Sequence, residues 1–340
     1  MKLNLLITFV FVSFILFISR VDAQDTFSME AVDSTTGEIG DAGASCLGFT
    51  LPFAPHGCLI ISDNVPGIGC IHTQAYWDSM NQKYAHHLMI AGYTPQQILD
   101  SLYNNDVIFH PEIRQYGITL YNGGHPKTGA YTGTGCDSFK NHIIGKYYTI
   151  QGNTLLGEKV LDSMEARFLR TKGPLAERLM AALQGAKMVG ADTRCSVHNT
   201  SSLSSFLRVS KPTDDPGKLY IDLHMSYDEN VTGKLKVDPI DSLQTLYNIN
   251  KAGINNFNSS NNETAKLIYD NNTSFLDFTG FIELKDIIVV LSDIQGRIIY
   301  KKEVANSKFP LFDNENISQG IYTFTIFKKG MNIENGKVVK

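Results

Sequence analysis

Hydroxyls, amides and one aspartate–arginine pair carry most of the chemistry this sequence offers. Thr26 and Ser28 stand two apart in "TFSMEAVD" (26–33), where polarity alternates. On a strand both side chains point to the same side. Thr26 also lies just past an apolar N-terminal segment, so processing decides what it can do. As a first residue it would carry a nucleophilic hydroxyl and its own base. An α-amino group titrates near 7.7–8, well placed to take a hydroxyl proton at neutral pH. Gln74, Arg114 and Asn153 fall at strand ends or in loops, and Asn153 is a candidate donor to an oxyanion. Asp192 and Arg194 in "GADTR" are spaced to form a forked ion pair that shapes a pocket.

Other chemistries lack their motifs. The nine histidines are scattered, with no HExxH or similar ligand spacing. There is no GxSxG elbow and no phosphate-binding GxxxxGK[ST] loop. No cofactor and no metal is expected. Net charge is −4, with no basic stretch interleaved with aromatics, so nucleic acid is not an expected partner. A small-molecule or peptide-like ligand is. The sequence leaves the oligomeric state open.

Residues 1–23 read as a signal peptide. Lys2 gives the positive start, Leu5 to Ile18 is apolar apart from Thr8 and Ser13, and Val21 and Ala23 fit a signal peptidase site. That run is about 14 residues, short of the roughly 20 needed to span a bilayer. Cleavage there leaves Gln24 first, so a free Thr26 amine requires two further residues to be removed. Export places the five cysteines, at 46, 58, 70, 136 and 195, in an oxidising compartment. Their odd number leaves at least one thiol or an intermolecular bridge. Cys136 is expected in a disulfide.

The elements that must position these groups are legible from pattern. Strands are expected at 26–33, over "IGDAGASCLGF", at 67–76, on both sides of Asn122-Gly123-Gly124, at 147–153, and over "SLSSFLRVS" and "KLYIDLHMS". A strand as rich in Gly, Ala and Ser as the second lets another backbone or a ligand approach closely. "TPQQILDSLYNND" carries a capping box at Thr94 and Gln97 with Pro95 at its first turn. Two further helices follow around 156–168 and from Pro174, the latter with Leu175, Leu179 and Leu183 in one stripe, and "DPIDSLQTLYNI" closes the domain. Strands, then helices, then strands give an α+β class with antiparallel or mixed sheets covered by helices. Nine asparagines between Asn248 and Asn272 mark a linker, placed at 251–262. From 263 to 340 the pattern is purely β, with turns at Gly296, Lys329-Gly330 and Asn335-Gly336, and suggests a small sandwich.

Two resemblances add to this reading. In "VVLSDIQGRIIY", "ISQGIYTFTIFKKG" and "GKVVK" the last segment resembles a type IX secretion sorting tail. That implies the type IX secretion machinery as a partner, and a secreted or surface-attached protein. Residues 24–250 resemble the DUF1028 family through "TFSMEAVDSTTGEIGDAGAS", "GIGCIHTQAY", "RQYGITL", "YTGTGC", "IQGNTLLG", "GPLAERLMAALQGA" and "GADTR". The resemblance implies a four-layer αββα, Ntn-hydrolase-like fold. It further implies an amidohydrolase with Thr26 as nucleophile, Arg114, Asn153 and Asp192 supporting it, and Ser28, Gln74 and Arg194 touching substrate. A start at Gln24 implies instead a non-catalytic binding protein that keeps the fold.

Overall fold

The structure is a computed structural model. It describes residues 26–254 and 265–340, apart from residues 51, 123, 229, 231, 236, 271–272, 280, 282, 294–296, 313–316, 318–320, 329–330 and 340. The signal segment, Gln24 and most of the expected linker lie outside the described residues.

The first part of the chain runs β1 (Thr26–Val32), β2 (Ile39–Ser45), β3 (Ser62–Val65), β4 (Gly69–Ala75), α1 (Ser79–Ile90), α2 (Pro95–Asn104), β5 (Arg114–Asn122) and β6 (His125–Thr132). It continues with β7 (Asn141–Ile144), β8 (Tyr148–Gly152), α3 (Lys159–Arg170), α4 (Leu175–Ala186), β9 (Ser204–Ser210), β10 (Ile221–Ser226) and α5 (Pro239–Ile254). Two antiparallel sheets result, ordered β10-β9-β2-β1-β8-β7 and β3-β4-β5-β6. The mixed helix and sheet class expected from the pattern is observed.

Period-two alternation assigns each strand two different neighbours. Phe27, Met29 and Ala31 of β1, Ala42 and Ala44 of β2, Ile150 of β8 and Leu207 of β9 share one apolar core with α3 and α4. Ile71 of β4 and Tyr116, Ile118 and Leu120 of β5 share another with α1 and α2. The remaining faces of the two sheets meet each other, and there many of the side chains are polar, with Val32, Ile39, Cys70 and Phe206 as apolar exceptions. The small residues of β2 admit a helix: a Cβ at Gly40 would lie 2.6 Å from Leu179 Cδ1.

Local signals explain the helix starts. Asp78 accepts from the backbone N–H of Met80 at 2.7 Å and of Asn81 at 3.3 Å, capping α1. The capping box at Thr94 and Gln97 forms as expected. Leu175, Leu179 and Leu183 are all fully buried on α4. Helix α1 and the short strands β3 and β7 were not expected. The last helix reaches Ile254, into the segment read as linker.

The C-terminal part contains β11 (Lys266–Asp270), β12 (Thr273–Asp277), β13 (Ile287–Asp293), β14 (Ile298–Glu303), β15 (Lys308–Pro310), β16 (Ile321–Lys328) and β17 (Met331–Val339). They form sheets β11-β12-β15 and β14-β13-β16-β17 around one apolar core that includes Leu276, Val289, Phe309 and Phe324. The turn expected at Asn335-Gly336 is absent. Both residues lie inside β17, paired with Thr325 and Phe324. The turn composition there is overridden by pairing along a full strand.

Candidate functional site

Strand β1 carries Thr26, Ser28 and Glu30 into the space between the two sheets. Asp41 and Ser45 come from β2, His72 and Gln74 from β4, Gln115 from β5, and Thr149 and Gln151 from β8, with Asn153 just beyond it. Every one of these side chains is buried. Buried polar groups must find partners, and here they find one another.

Backbone carbonyls fix the direction of the network. Gln115 Nε2 donates to the carbonyls of Gly152 at 2.9 Å and Asn141 at 3.1 Å, which can only accept. Its Oε1 therefore accepts, from Gln74 Nε2 at 2.7 Å and Asn153 Nδ2 at 2.9 Å. Gln74 Nε2 also donates to the Thr26 carbonyl at 3.3 Å. Gln74 Oε1 then accepts from Ser28 Oγ at 2.6 Å, and Ser28 Oγ accepts from Gln151 Nε2 at 2.7 Å. Gln151 Nε2 reaches the Glu30 carboxylate at 2.9 and 3.1 Å, where Thr149 Oγ1 donates at 2.7 Å.

The line ends on an ion-paired centre. His72 Nδ1 is 3.0 Å from Glu30 and its Nε2 is 3.1 Å from Asp41. Burial opposes a charged imidazole, but the Glu30 charge and the hydrogen bonds that the ring donates to both carboxylates outweigh it and lift the His72 pKa to about 9. Burial likewise pushes Asp41 up, yet its bond to His72 prevails and its pKa falls below the usual range. Asn64 Nδ2 donates to Asp41 at 2.7 Å, and the Ser62 hydroxyl donates to it as well. Asp41, Cys70 and His72 place ligand-type atoms within 4.8 Å of one another. Both His72 nitrogens already face carboxylates, and burial with the Asp41 charge raises the Cys70 thiol well above its ordinary value. The trio is an ion-pair centre in its chemistry rather than a set of free metal donors.

Asp192 and Arg194 form the expected fork. Arg194 Nε donates to Oδ1 at 3.0 Å and Nη2 to Oδ2 at 2.7 Å. Asp192 Oδ2 also accepts from the Cys46 N–H at 2.8 Å. Arg194 Nη2 lies 3.4 Å from Ser45 Oγ, and Ser45 is the residue paired with Thr26 across the hairpin. A Cys46–Cys195 disulfide ties the same two segments together. The expected disulfide at Cys136 does not form; its thiol is buried and donates to the Arg114 carbonyl.

Thr26, Ser28, Gln74, Asn153, Asp192 and Arg194 thus gather at one end of the β1–β2 hairpin. Arg114 does not join them. Strand alternation turns it to the opposite face from Gln115, where Nε donates to Asp106 at 2.7 Å and Nη1 donates to the Tyr76 carbonyl. It is a structural partner of Asp106. Asn153 Nδ2 gives one of its two hydrogens to Gln115 Oε1 at 2.9 Å. Glu30, Asp41, His72, Gln115 and Gln151 were missed. For Glu30, His72 and Gln151 a signal was present, since 26/28/30, 72/74 and 149/151/153 are each polar at every second position.

A cavity of about 530 Å³ lies at the other end of the hairpin, lined by Asp33, Glu38, Glu177, Tyr220, Tyr247 and Lys251 among others.

Comparison with known proteins fits this architecture. Residues 26–235 match the model of a family of unknown function, DUF1028. The chain belongs to that family. Its structure is similar to the crystal structure of protein SPO2555 from Silicibacter pomeroyi, assigned to the same family. The two share 21% identity at a TM-score of 0.52, over 66% of this chain and 88% of that one. No curated protein matches.

Proposed function

We propose that the chain is an exported amide hydrolase of the N-terminal-nucleophile type, acting on a small amide or peptide-like substrate through Thr26. One observation carries this reading. A buried line of amides and hydroxyls with a fixed hydrogen-bond direction ends at the head of β1, on Thr26. Burying that many polar groups costs stability that an apolar interface would not, and a site is a reason to retain them. The family match also begins at Thr26. The two sheets with their helix pairs agree with a four-layer αββα, Ntn-like arrangement.

In this reading Thr26 Oγ1 attacks the substrate carbonyl while the Thr26 amine takes the hydroxyl proton and passes it to the leaving nitrogen. Water then cleaves the acyl ester, with the amine as base again. Arg194, beside Ser45 and ion-paired with Asp192, would supply guanidinium N–H donors at this end. The amine exists only after removal of residues 1–23 and then of Gln24 and Asp25. The Cys46–Cys195 bridge accords with an oxidising compartment after export. Residues 263–340 would serve as the sandwich-like type IX sorting tail.

A second reading is a non-catalytic binding protein on the same fold. The position of the 530 Å³ cavity favours it, since that cavity is lined by the hairpin turn rather than by Thr26. Intact mass and N-terminal mapping of protein secreted by its native host separate the two. A chain beginning at Thr26, with amide hydrolysis lost in Thr26→Ala, supports the hydrolase. A chain beginning at Gln24 rules it out.

A further inference from the structure

Asn153 is wholly buried, and its Oδ1 has no hydrogen-bond partner. The orientation of this amide is not arbitrary. Gln115 Nε2 is bound to two backbone carbonyls, so Gln115 Oε1 must accept, and Asn153 must turn its Nδ2 toward it. That leaves Oδ1 as a desolvated acceptor with nothing donating to it, which is costly. Such a group in a native site calls for an explanation.

Its position suggests one. The β1–β8 register pairs Phe27 with Gly152, which sets Asn153 opposite Thr26. The Asn153 N–H donates to the Thr26 carbonyl at 3.1 Å. Gln74 joins both residues from the facing sheet, through the Thr26 carbonyl and through Gln115 Oε1. Thr26 and Asn153 are two residues from Ser28 and Gln151, so by strand alternation both side chains lie on the inner side of the sheet. Within a continuous chain the Thr26 nitrogen carries a single hydrogen. Cleavage before Thr26 turns it into an ammonium with three. Two new donors would appear on the residue whose carbonyl Asn153 already binds, and Asn153 Oδ1 lacks a donor.

We propose that Asn153 is a positioning residue whose Oδ1 receives a hydrogen from the α-amino group of Thr26 once the preceding segment is removed. This rests on the reading of Thr26 as the mature N-terminus. The bond would orient the amine's lone pair toward Oγ1 by occupying one of its hydrogens. The line from Gln151 through Ser28, Gln74 and Gln115 would hold the Asn153 amide in the required sense.

The test uses the disulfide-intact chain from Thr26 to Lys340, released from a fusion by cleavage directly before Thr26. The amine pKa is read from the pH dependence of its acetylation by acetic anhydride, followed by mass spectrometry of the N-terminal peptide. Asn153→Asp places a carboxylate oxygen against the amine, and the pKa is expected to rise by about one unit or more. Asn153→Leu removes the acceptor and is expected to lower it. An unchanged pKa in both variants overturns the proposal. If the variants do not fold, a crystal structure of the wild-type Thr26 form decides. A nitrogen-to-Oδ1 distance within about 3.2 Å supports it, and a longer one with Oδ1 bonded elsewhere overturns it. Neither readout involves hydrolysis, so an inactive protein with this contact would sink only the enzymatic reading.

Discussion

His72 Nε2 lies 3.1 Å from Asp41 Oδ2, and both side chains have no exposed surface. With Glu30 on the other ring nitrogen, one imidazolium joins β4 to both strands of the β1–β2 hairpin. The hydrogen-bonded line that starts at Glu30 runs through Gln151, Ser28 and Gln74 to the Thr26 carbonyl.

The first prediction concerns alkaline stability. The folded His72 pKa is about 9, above its unfolded value near 6.5. The stabilisation is therefore complete below about pH 6.5, declines as pH rises, and is gone above the folded value. Denaturant unfolding at pH 6, 8 and 10 should show this loss. The loss should be much smaller in His72→Gln, which is less stable at pH 6 because two buried carboxylates lose their cation, a change that costs about 3–5 kcal/mol. Equal pH slopes in the two proteins would remove His72 from this role.

The acid limit should belong to a different pair. Burial works against ionised Asp106, but its bond to Arg114 wins and brings its pKa to about 2. A depressed carboxylate stabilises above its unfolded value near 3.9 and loses that contribution as pH falls through the folded value. Asp106→Ala strands the buried Arg114 guanidinium and should cost about 3–5 kcal/mol at pH 7. Because Arg114 faces away from the sheet interface, the side-chain amide NMR signals of Gln74, Gln115 and Asn153 should keep their wild-type positions. Large shifts in those signals would show that the two regions are coupled.

The strands and most helices were legible because burial imposes their periods, as in the Leu175, Leu179 and Leu183 stripe and the Thr94 capping box. The short strands β3 and β7 were not, being only 4 residues each and too brief to show a period. At the site, hydroxyls and the Asp192–Arg194 fork were found by residue type. Gln115 and Gln151 were passed over because an amide on a strand reads as a surface residue until a second sheet is known to cover it. Arg114 was misassigned for a related reason: its type was informative, but only the register shows that Gln115, not Arg114, faces β1.

Close sheet packing gives a third prediction. A Cβ at Gly117 would collide with the Gln151 side-chain amide. Gln151 is pinned between Ser28 and Glu30, so it cannot move aside cheaply. Gly117→Ala should cost about 1–3 kcal/mol, the usual range for overpacking. Gly217→Ala, where an added Cβ meets nothing within 4 Å, is the matched control and should be near neutral. Similar losses at both positions would mean that backbone effects, not contact with Gln151, set the cost.

The fourth prediction separates two roles of the Cys46–Cys195 bridge. It closes a loop with a sequence separation of 149 residues, and loop-closure entropy alone assigns such a bridge roughly 5 kcal/mol at most. The native segments have other ties. Asp192 accepts from the Cys46 N–H at 2.8 Å, the Asp192 N–H donates to Ser201 O at 3.1 Å, and the Leu156 N–H donates to Ala191 O at 3.0 Å. The bridge should therefore act mainly on the unfolded chain. In Cys46→Ser/Cys195→Ser the unfolding midpoint should fall, while the amide of residue 46 stays as protected as its new global stability allows. Exchange of that amide far faster than global unfolding would show the opposite: that the bridge, and not the Asp192 carboxylate, holds the Arg194 segment beside Ser45 and Thr26.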